Sequence, residues 1–219
     1  MCAPLVRRDH RRPDIDAVYV PTPAVLRGHW TRRAIEAGKH VLCEKPFMAD
    51  AEEVAAVARL AESSGLVVME ASHSRHHPMR TRVAELTGSG ALGELRTARA
   101  EFAVPHADTT GIRWQRELGG GALIDPGCYP VRLPRHLFGE PQVTGARADG
   151  VDASATARLA FPGGVSAEVV ASVRTERPHT VALHVTGSAG TLRAADPTAV
   201  PPLLRGLLPA AACSTPPWR

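Results

Sequence analysis

In the first third of the chain, short apolar runs alternate with longer amphipathic stretches. Residues 15–20 (Ile-Asp-Ala-Val-Tyr-Val) are mostly apolar and are closed by Pro21-Thr22-Pro23, which predicts a strand and a turn. Residues 25–37 place Leu26, Trp30 and Ala34 at i, i+4 and i+8, predicting a helix with one apolar stripe that Gly38 ends in the left-handed conformation. Residues 40–43 give a second strand, with Glu44-Lys45-Pro46 just past its carboxyl end. Asp50 with Glu53 makes a capping-box-like start to a helix whose face is Val54, Val57, Leu60 and Ala61 and which ends near Gly65. Residues 66–69 read as a third strand. Strand-helix-strand-helix-strand with short links predicts a parallel sheet with right-handed crossovers. Ligands bind such sheets beyond the carboxyl strand ends, where Thr22-Pro23 and Glu44-Lys45-Pro46 both lie.

The pattern then changes. Residues 80–86 suggest a helix, residues 95–104 alternate as a strand, and Gly119-Gly120-Gly121 leads into an apolar run reaching Phe138. Residues 156–161 and 165–173 flank Pro162-Gly163-Gly164 as a hairpin, and residues 180–186 and 190–193 flank Ser188-Ala189 as another. The expected fold is therefore α/β, a partial Rossmann-like parallel sheet over residues 1–72, followed by an α+β domain with a predominantly antiparallel sheet over residues 73–196. Residues 197–219, with Pro201-Pro202, Pro209 and Pro216-Pro217, have no usable periodicity and read as an irregular tail.

At 219 residues, 44% hydrophobic and 22% charged, the chain can build a sizeable core. No run approaches the ~20 apolar residues of a membrane span, and the first residues lack the apolar segment of a secretory signal, so the expected location is cytoplasmic. Cys2, Cys43, Cys128 and Cys213 are scattered without a Cys-x-x-Cys pair and read as free thiols. The net charge of +4 comes from dispersed arginines with few aromatics between them, which argues against nucleic-acid binding. His73, His76 and His77 lack a carboxylate or cysteine partner at ligand spacing, so no metal site is expected. Lysine occurs only at Lys39 and Lys45 in a chain that otherwise uses arginine; a lysine can shift its pKa and donate a proton where an arginine cannot.

Several segments together carry a family resemblance: Val-Pro-Thr-Pro at 20–23, Ala-Gly-Lys-His-Val-Leu-Cys-Glu-Lys-Pro at 37–46, Arg-His-His-Pro at 75–78, Arg113-Trp114, and Gly-Gly-Gly-Ala-Leu-Ile-Asp-Pro-Gly-Cys-Tyr at 119–129. With them the chain resembles the glucose–fructose oxidoreductase, inositol dehydrogenase and rhizopine-catabolism (Gfo/Idh/MocA) family from about residue 14 to residue 194. The tyrosine at 129 is similar to the glucose–fructose oxidoreductase and dihydrodiol or xylose dehydrogenase branch; other branches place a histidine there and an aspartate three residues on, where this chain has Arg132. No Gly-x-Gly-x-x-Gly turn precedes residue 15, so the chain reads as an N-terminally truncated member lacking two strand-helix units.

The resemblance implies an NAD(P)-dependent oxidoreductase that moves a hydride between nicotinamide and a sugar, polyol or dihydrodiol hydroxyl, with NAD or NADP as cofactor and a homo-oligomer formed through the C-terminal sheet. Oxidising an alcohol needs a base for the hydroxyl proton and a cation for the alkoxide-like oxygen. Lys45 is expected as that cation, lowering the pKa of a nearby phenol; Tyr129 as the proton carrier; and Asp125 one helical turn earlier on the same face. Thr22, Pro23, Glu44, Lys45, Pro46, Arg113 and Trp114 are expected at the cofactor, and Arg75 and His76 at the substrate. Departures weigh against activity: Arg27 and Ala24 replace the family's histidine and asparagine after Thr-Pro, and Pro126, Pro130 and Pro134 interrupt the helix carrying Tyr129, each at ~3 kcal/mol if interior. With no phosphate cradle, the isolated chain is expected to bind NAD(P) weakly or not at all. The alternative reading is a non-catalytic remnant or oligomerisation module of the same family.

Overall fold

The computed structural model describes residues 12–106, 108–149, 153–175 and 179–195; Cys2, Cys213 and the proline-rich tail lie outside them. Three strands, β1 (Ala17–Val20), β2 (His40–Glu44) and β3 (Val68–Ala71), form a parallel sheet in the order β1-β2-β3. Helices α1 (Ala24–Glu36) and α2 (Ala51–Ser64) are the crossovers. Both pack on one face, where Val20, Ala34, Ile35, Val41, Cys43, Met48 and Val57 make a buried cluster. On the other face Tyr19, Leu42 and Met69 are register partners and stand exposed.

Local signals account for these boundaries. The Asp50 carboxylate accepts the Glu53 N–H at 2.9 Å and caps α2, and Gly65 ends it at φ 67°. The stripe expected on α1 is only partly right. The buried positions are Ala24, Arg27, Gly28, Thr31, Ala34 and Ile35, while Leu26 is exposed. An arginine can replace a leucine on this inner face because its guanidinium is spent on backbone carbonyls: Nε donates to Thr22 O at 2.8 Å and Nη1 donates to Pro46 O. Arg27 thus ties together the turns that follow β1 and β2.

The second sheet has six strands in the order β5-β6-β7-β4-β8-β9, comprising β4 (Leu95–Ala103), β5 (Gln142–Ala148), β6 (Ser154–Ala160), β7 (Ser166–Ser172), β8 (Thr180–Gly187) and β9 (Thr191–Ala195). Every pairing is antiparallel except β4 with β7. Helices α3 (Pro78–Gly88) and α4 (Cys128–Phe138) bring Val83 and Leu133 into the core with Leu159, Phe161, Val169, Leu183 and Val185. Pattern reading missed β5, whose residues are all exposed and therefore show no alternation.

The helix carrying Tyr129 starts later than the apolar run suggests. Gly127 is its N-cap, which leaves Pro126 outside it and Pro130 in the first turn, where an N–H has no intrahelical partner to lose. Only the buried Pro134 interrupts the ladder. The expected cost of three interior prolines reduces to one.

Candidate active site

The carboxyl ends of β1, β2 and β3 meet the start of α4, and most of the residues singled out by sequence lie there. Lys45 leaves the end of β2. Its ammonium donates to the Asp125 carbonyl and to Asp125 Oδ1, both at 3.1 Å, and sits 4.9 Å from the centre of the Tyr129 ring. The Lys45 and Asp125 side chains keep only 20% and 25% of their exposure, so this pair is substantially desolvated.

Asp125 does not occupy an earlier turn of the helix. It lies in the turn before α4, where its N–H donates to Gly121 O at 3.0 Å. The glycine triplet builds this turn. The Gly120 N–H donates to Gln115 O at 2.9 Å and the Gly121 N–H to Arg113 O at 2.8 Å. A Cβ on Gly120 would come within 2.5–2.8 Å of the carbonyl oxygens of Ile112, Arg113 and Gln115. Backbone contact at that range brings Arg113 to the carboxylate, and its Nε donates to Asp125 Oδ2 at 2.6 Å. Asp125 therefore bridges two cations. Burial pushes its carboxyl up, but the charges of Lys45 and Arg113 outweigh that and hold it below its ordinary value.

Tyr129 shows a difference from expectation. Burial, joined by the charges of Cys128, Asp125, Glu44 and Glu70, drives its phenol well above the ordinary value. Lys45 lies over the ring face and gives its hydrogen bonds to Asp125, so it does not make the phenol acidic. The ring stacks on Phe102 of β4 (4.9 Å between centres, 19° between planes) and meets the edge of His73 at 5.7 Å. Cys128 beside it is partly buried, and desolvation pushes its thiol up to about 11.

The other named residues divide. Glu44 accepts the Tyr19 hydroxyl at 2.7 Å and the Lys45 N–H at 3.0 Å, so it braces the loop. The Lys45–Pro46 peptide is cis. Thr22, next to Pro23 after β1, keeps a buried hydroxyl oxygen with no hydrogen-bond partner, as does the Trp114 indole nitrogen. The Arg174 guanidinium stands 5.4 Å from the Trp114 ring. Arg75 and His76 are exposed in the 3-10 turn His73–His76, and the residue of that turn that touches Tyr129 is His73. His77 caps α3, accepting the Met79 N–H at 3.1 Å. Sequence reasoning missed His73, Phe102, Glu70 and Arg132. Alternation in β4 was the only available signal for Phe102, and none of the motifs marks Glu70.

Among the described residues no helix is long and apolar enough to cross a membrane. Residues 7–72 match the model described as "Oxidoreductase family, NAD-binding Rossmann fold", and residues 80–193 match the GFO/IDH/MocA C-terminal domain. A dTDP-3,4-didehydro-2,6-dideoxy-alpha-D-glucose 3-reductase from Streptomyces violaceoruber is 44% identical over 188 residues, covering 83% of this chain and 54% of that protein. D-xylose 1-dehydrogenase (NADP(+)) 2 of Haloferax volcanii is 39% identical, covering 84% of this chain and 59% of its own length. A 3-ketoreductase from Actinomadura kijaniata, solved with NADP and TDP-benzene, superposes with a TM-score of 0.80 at 35% identity, over 88% of this chain and 60% of that one. The chain thus spans little more than half the length of the relatives it matches. It belongs to the Gfo/Idh/MocA oxidoreductase family.

Proposed function

We propose that this chain carries the reacting end of an NADP-dependent sugar oxidoreductase that reduces a ketone on a nucleotide-linked sugar to the alcohol. The observation that carries this reading is Lys45, held by Asp125 and set over the Tyr129 ring at the carboxyl end of a parallel sheet. The residues fit the nicotinamide end of such a cofactor. Thr22 offers a buried hydroxyl without a partner, a state costing ~1–3 kcal/mol that a ribose or carboxamide group would relieve. Thr22, Pro23, Lys45, Pro46 and the Arg113-Trp114 turn would border that end.

When bound, the reduced nicotinamide supplies the hydride. The chain's own residues handle the oxygen and the proton. The carbonyl carbon takes the hydride with its electron pair while the oxygen takes the Tyr129 hydroxyl proton, so the ketone is reduced to an alcohol and the phenolate left behind regains its proton from solvent. The raised value keeps Tyr129 in its acid form at neutral pH, so the proton is present, and makes its transfer harder than from an ordinary phenol. The Lys45 ammonium, 4.9 Å from the ring centre, is the cation available to the negative charge that grows on the substrate oxygen, and one such donor contributes on the order of 10²–10³ in rate. Asp125 holds that ammonium still. Phe102 stacks on the Tyr129 ring and His73 meets its edge, which fixes the ring's orientation. Among the sugar, polyol and dihydrodiol substrates open to the family, a dTDP-linked ketosugar is favoured by the relatives at 44% and 35% identity.

The test joins this chain to an amino-terminal strand-helix segment bearing a Gly-x-Gly-x-x-Gly turn and follows NADPH consumption with a dTDP-linked 3-ketosugar. Turnover that Lys45→Ala lowers by about 10²-fold or more is expected. A protein that binds NADPH by fluorescence titration and consumes none would support the non-catalytic alternative instead.

A further inference from the structure

Outside the Lys45–Asp125 contact, a second ion pair crosses from the parallel sheet to the Tyr129 helix. Glu70 lies near the carboxyl end of β3. Its Oε1 accepts the Phe47 N–H at 3.1 Å and its Oε2 accepts Arg132 Nη1 at 2.5 Å. Phe47 is two residues past Lys45, and Arg132 is three residues past Tyr129. In α4 that spacing puts Arg132 on the face of Tyr129, one turn further on. One carboxylate thus holds, with separate oxygens, the loop that carries Lys45 and the helix that carries Tyr129. We propose that Glu70 and Arg132 form a strap that sets the Lys45 ammonium against the Tyr129 ring, making both positioning residues for the reaction.

The surroundings favour a strap over an incidental surface pair. The Glu70 and Arg132 side chains retain 21% and 34% of their exposure, so the pair is sheltered on the carboxylate side. No side chain caps α4, which leaves its placement to contacts made with other elements. Three contacts of the helix and the turn leading into it face β2 and β3: Asp125 of the turn with Lys45, Tyr129 under Lys45, and Arg132 with Glu70. The first two both depend on the single Lys45 side chain, whereas Glu70 grips backbone on one side and a planar guanidinium on the other. Without it, the loop after Lys45 keeps the Arg27 bond to Pro46 O and the weaker bond from the Cys43 thiol to Phe47 O.

The proposal rests on the reading of Lys45 and Tyr129 as the reacting pair, and its test separates the two. Lys39 and Lys45 are the only lysines, so the chain grown with ¹³Cε-lysine gives two methylene signals. That of Lys45 should be displaced by the Tyr129 ring current, and Tyr129→Leu identifies it. With Arg132→Gln most of that displacement should be lost; with Arg132→Lys, which keeps a cation for Glu70, most should be retained. Glu70→Gln should act as Arg132→Gln does. Since Arg132 is partly exposed and its variants leave the core untouched, they decide the matter even if the Glu70 variant does not fold. A Lys45 signal fully displaced in folded Arg132→Gln would overturn the strap, whatever its melting temperature. Near-wild-type turnover of Lys45→Ala would instead overturn the catalytic reading and leave the strap geometry standing.

Discussion

Replacing Asp125 with asparagine isolates the charge that organises the site. At 3.1 Å and an effective dielectric near 20, the Lys45–Asp125 attraction is roughly 5 kcal/mol before desolvation is subtracted. Removing one partner of a fully buried pair costs ~3–5 kcal/mol, because the other charge stays buried and unpaired. Here both side chains keep a fifth to a quarter of their exposure, so solvent recovers part of that loss and we expect about 2–3 kcal/mol. Arg113 adds little, since its side chain is 48% exposed and such pairs contribute ~0–1 kcal/mol. The effect carries a pH signature. Asp125 titrates below its ordinary value, so its stabilisation is present above the unfolded-state pKa of about 4 and is lost as pH falls through the folded value. Urea unfolding followed by circular dichroism should show the full difference between wild type and Asp125→Asn at neutral pH, shrinking toward zero in acid. A difference of the same size at both pH values would refute the reasoning, because the loss would then come from packing rather than charge.

Other consequences are as direct. Because burial raises the Tyr129 phenol, the acid form persists beyond the usual tyrosine range, and the reduction rate should stay level through neutral pH and decline only in strong alkali; a decline centred near neutrality would assign the proton to another group. Gly120→Ala should destabilise the protein by ~1–3 kcal/mol or prevent folding, since its Cβ would enter the space of three carbonyl oxygens; unchanged urea unfolding would be inconsistent with the tight Gly119–Gly121 turn. Cys128, partly buried with its thiol pushed up to about 11, should react slowly with iodoacetamide at neutral pH, and rapid labelling in the native protein by mass spectrometry would contradict its placement.

The parts of this molecule legible in sequence are those decided locally. Asp50 with Glu53, Gly38 and Gly65 mark helix ends through bonds a few residues long, and the short apolar runs of β1, β2 and β3 separate cleanly from the helices between them. Lys45, Asp125 and Tyr129 were marked by motif, and the structure brings them together. What failed depended on distant partners. Arg27 breaks the expected stripe of α1 because its hydrogen bonds lie on two other loops. The phenol of Tyr129 is governed by burial under β4 and the Phe102 ring, which the neighbouring sequence does not announce. Glu70 meets Arg132 across 62 residues of chain. His73 meets the Tyr129 ring while Arg75 and His76 do not, and nothing in the short polar run 73–77 distinguishes it from them.

The central claim is that Tyr129 gives the proton, and Tyr129→Phe tests it most directly because it removes one oxygen and keeps the stacking on Phe102. In the chain joined to an amino-terminal Gly-x-Gly-x-x-Gly segment, single-turnover reduction of a dTDP-linked 3-ketosugar should slow by about 10²–10⁴-fold while NADPH binding is unchanged. A variant that reduces the ketone at close to the wild-type rate would contradict it.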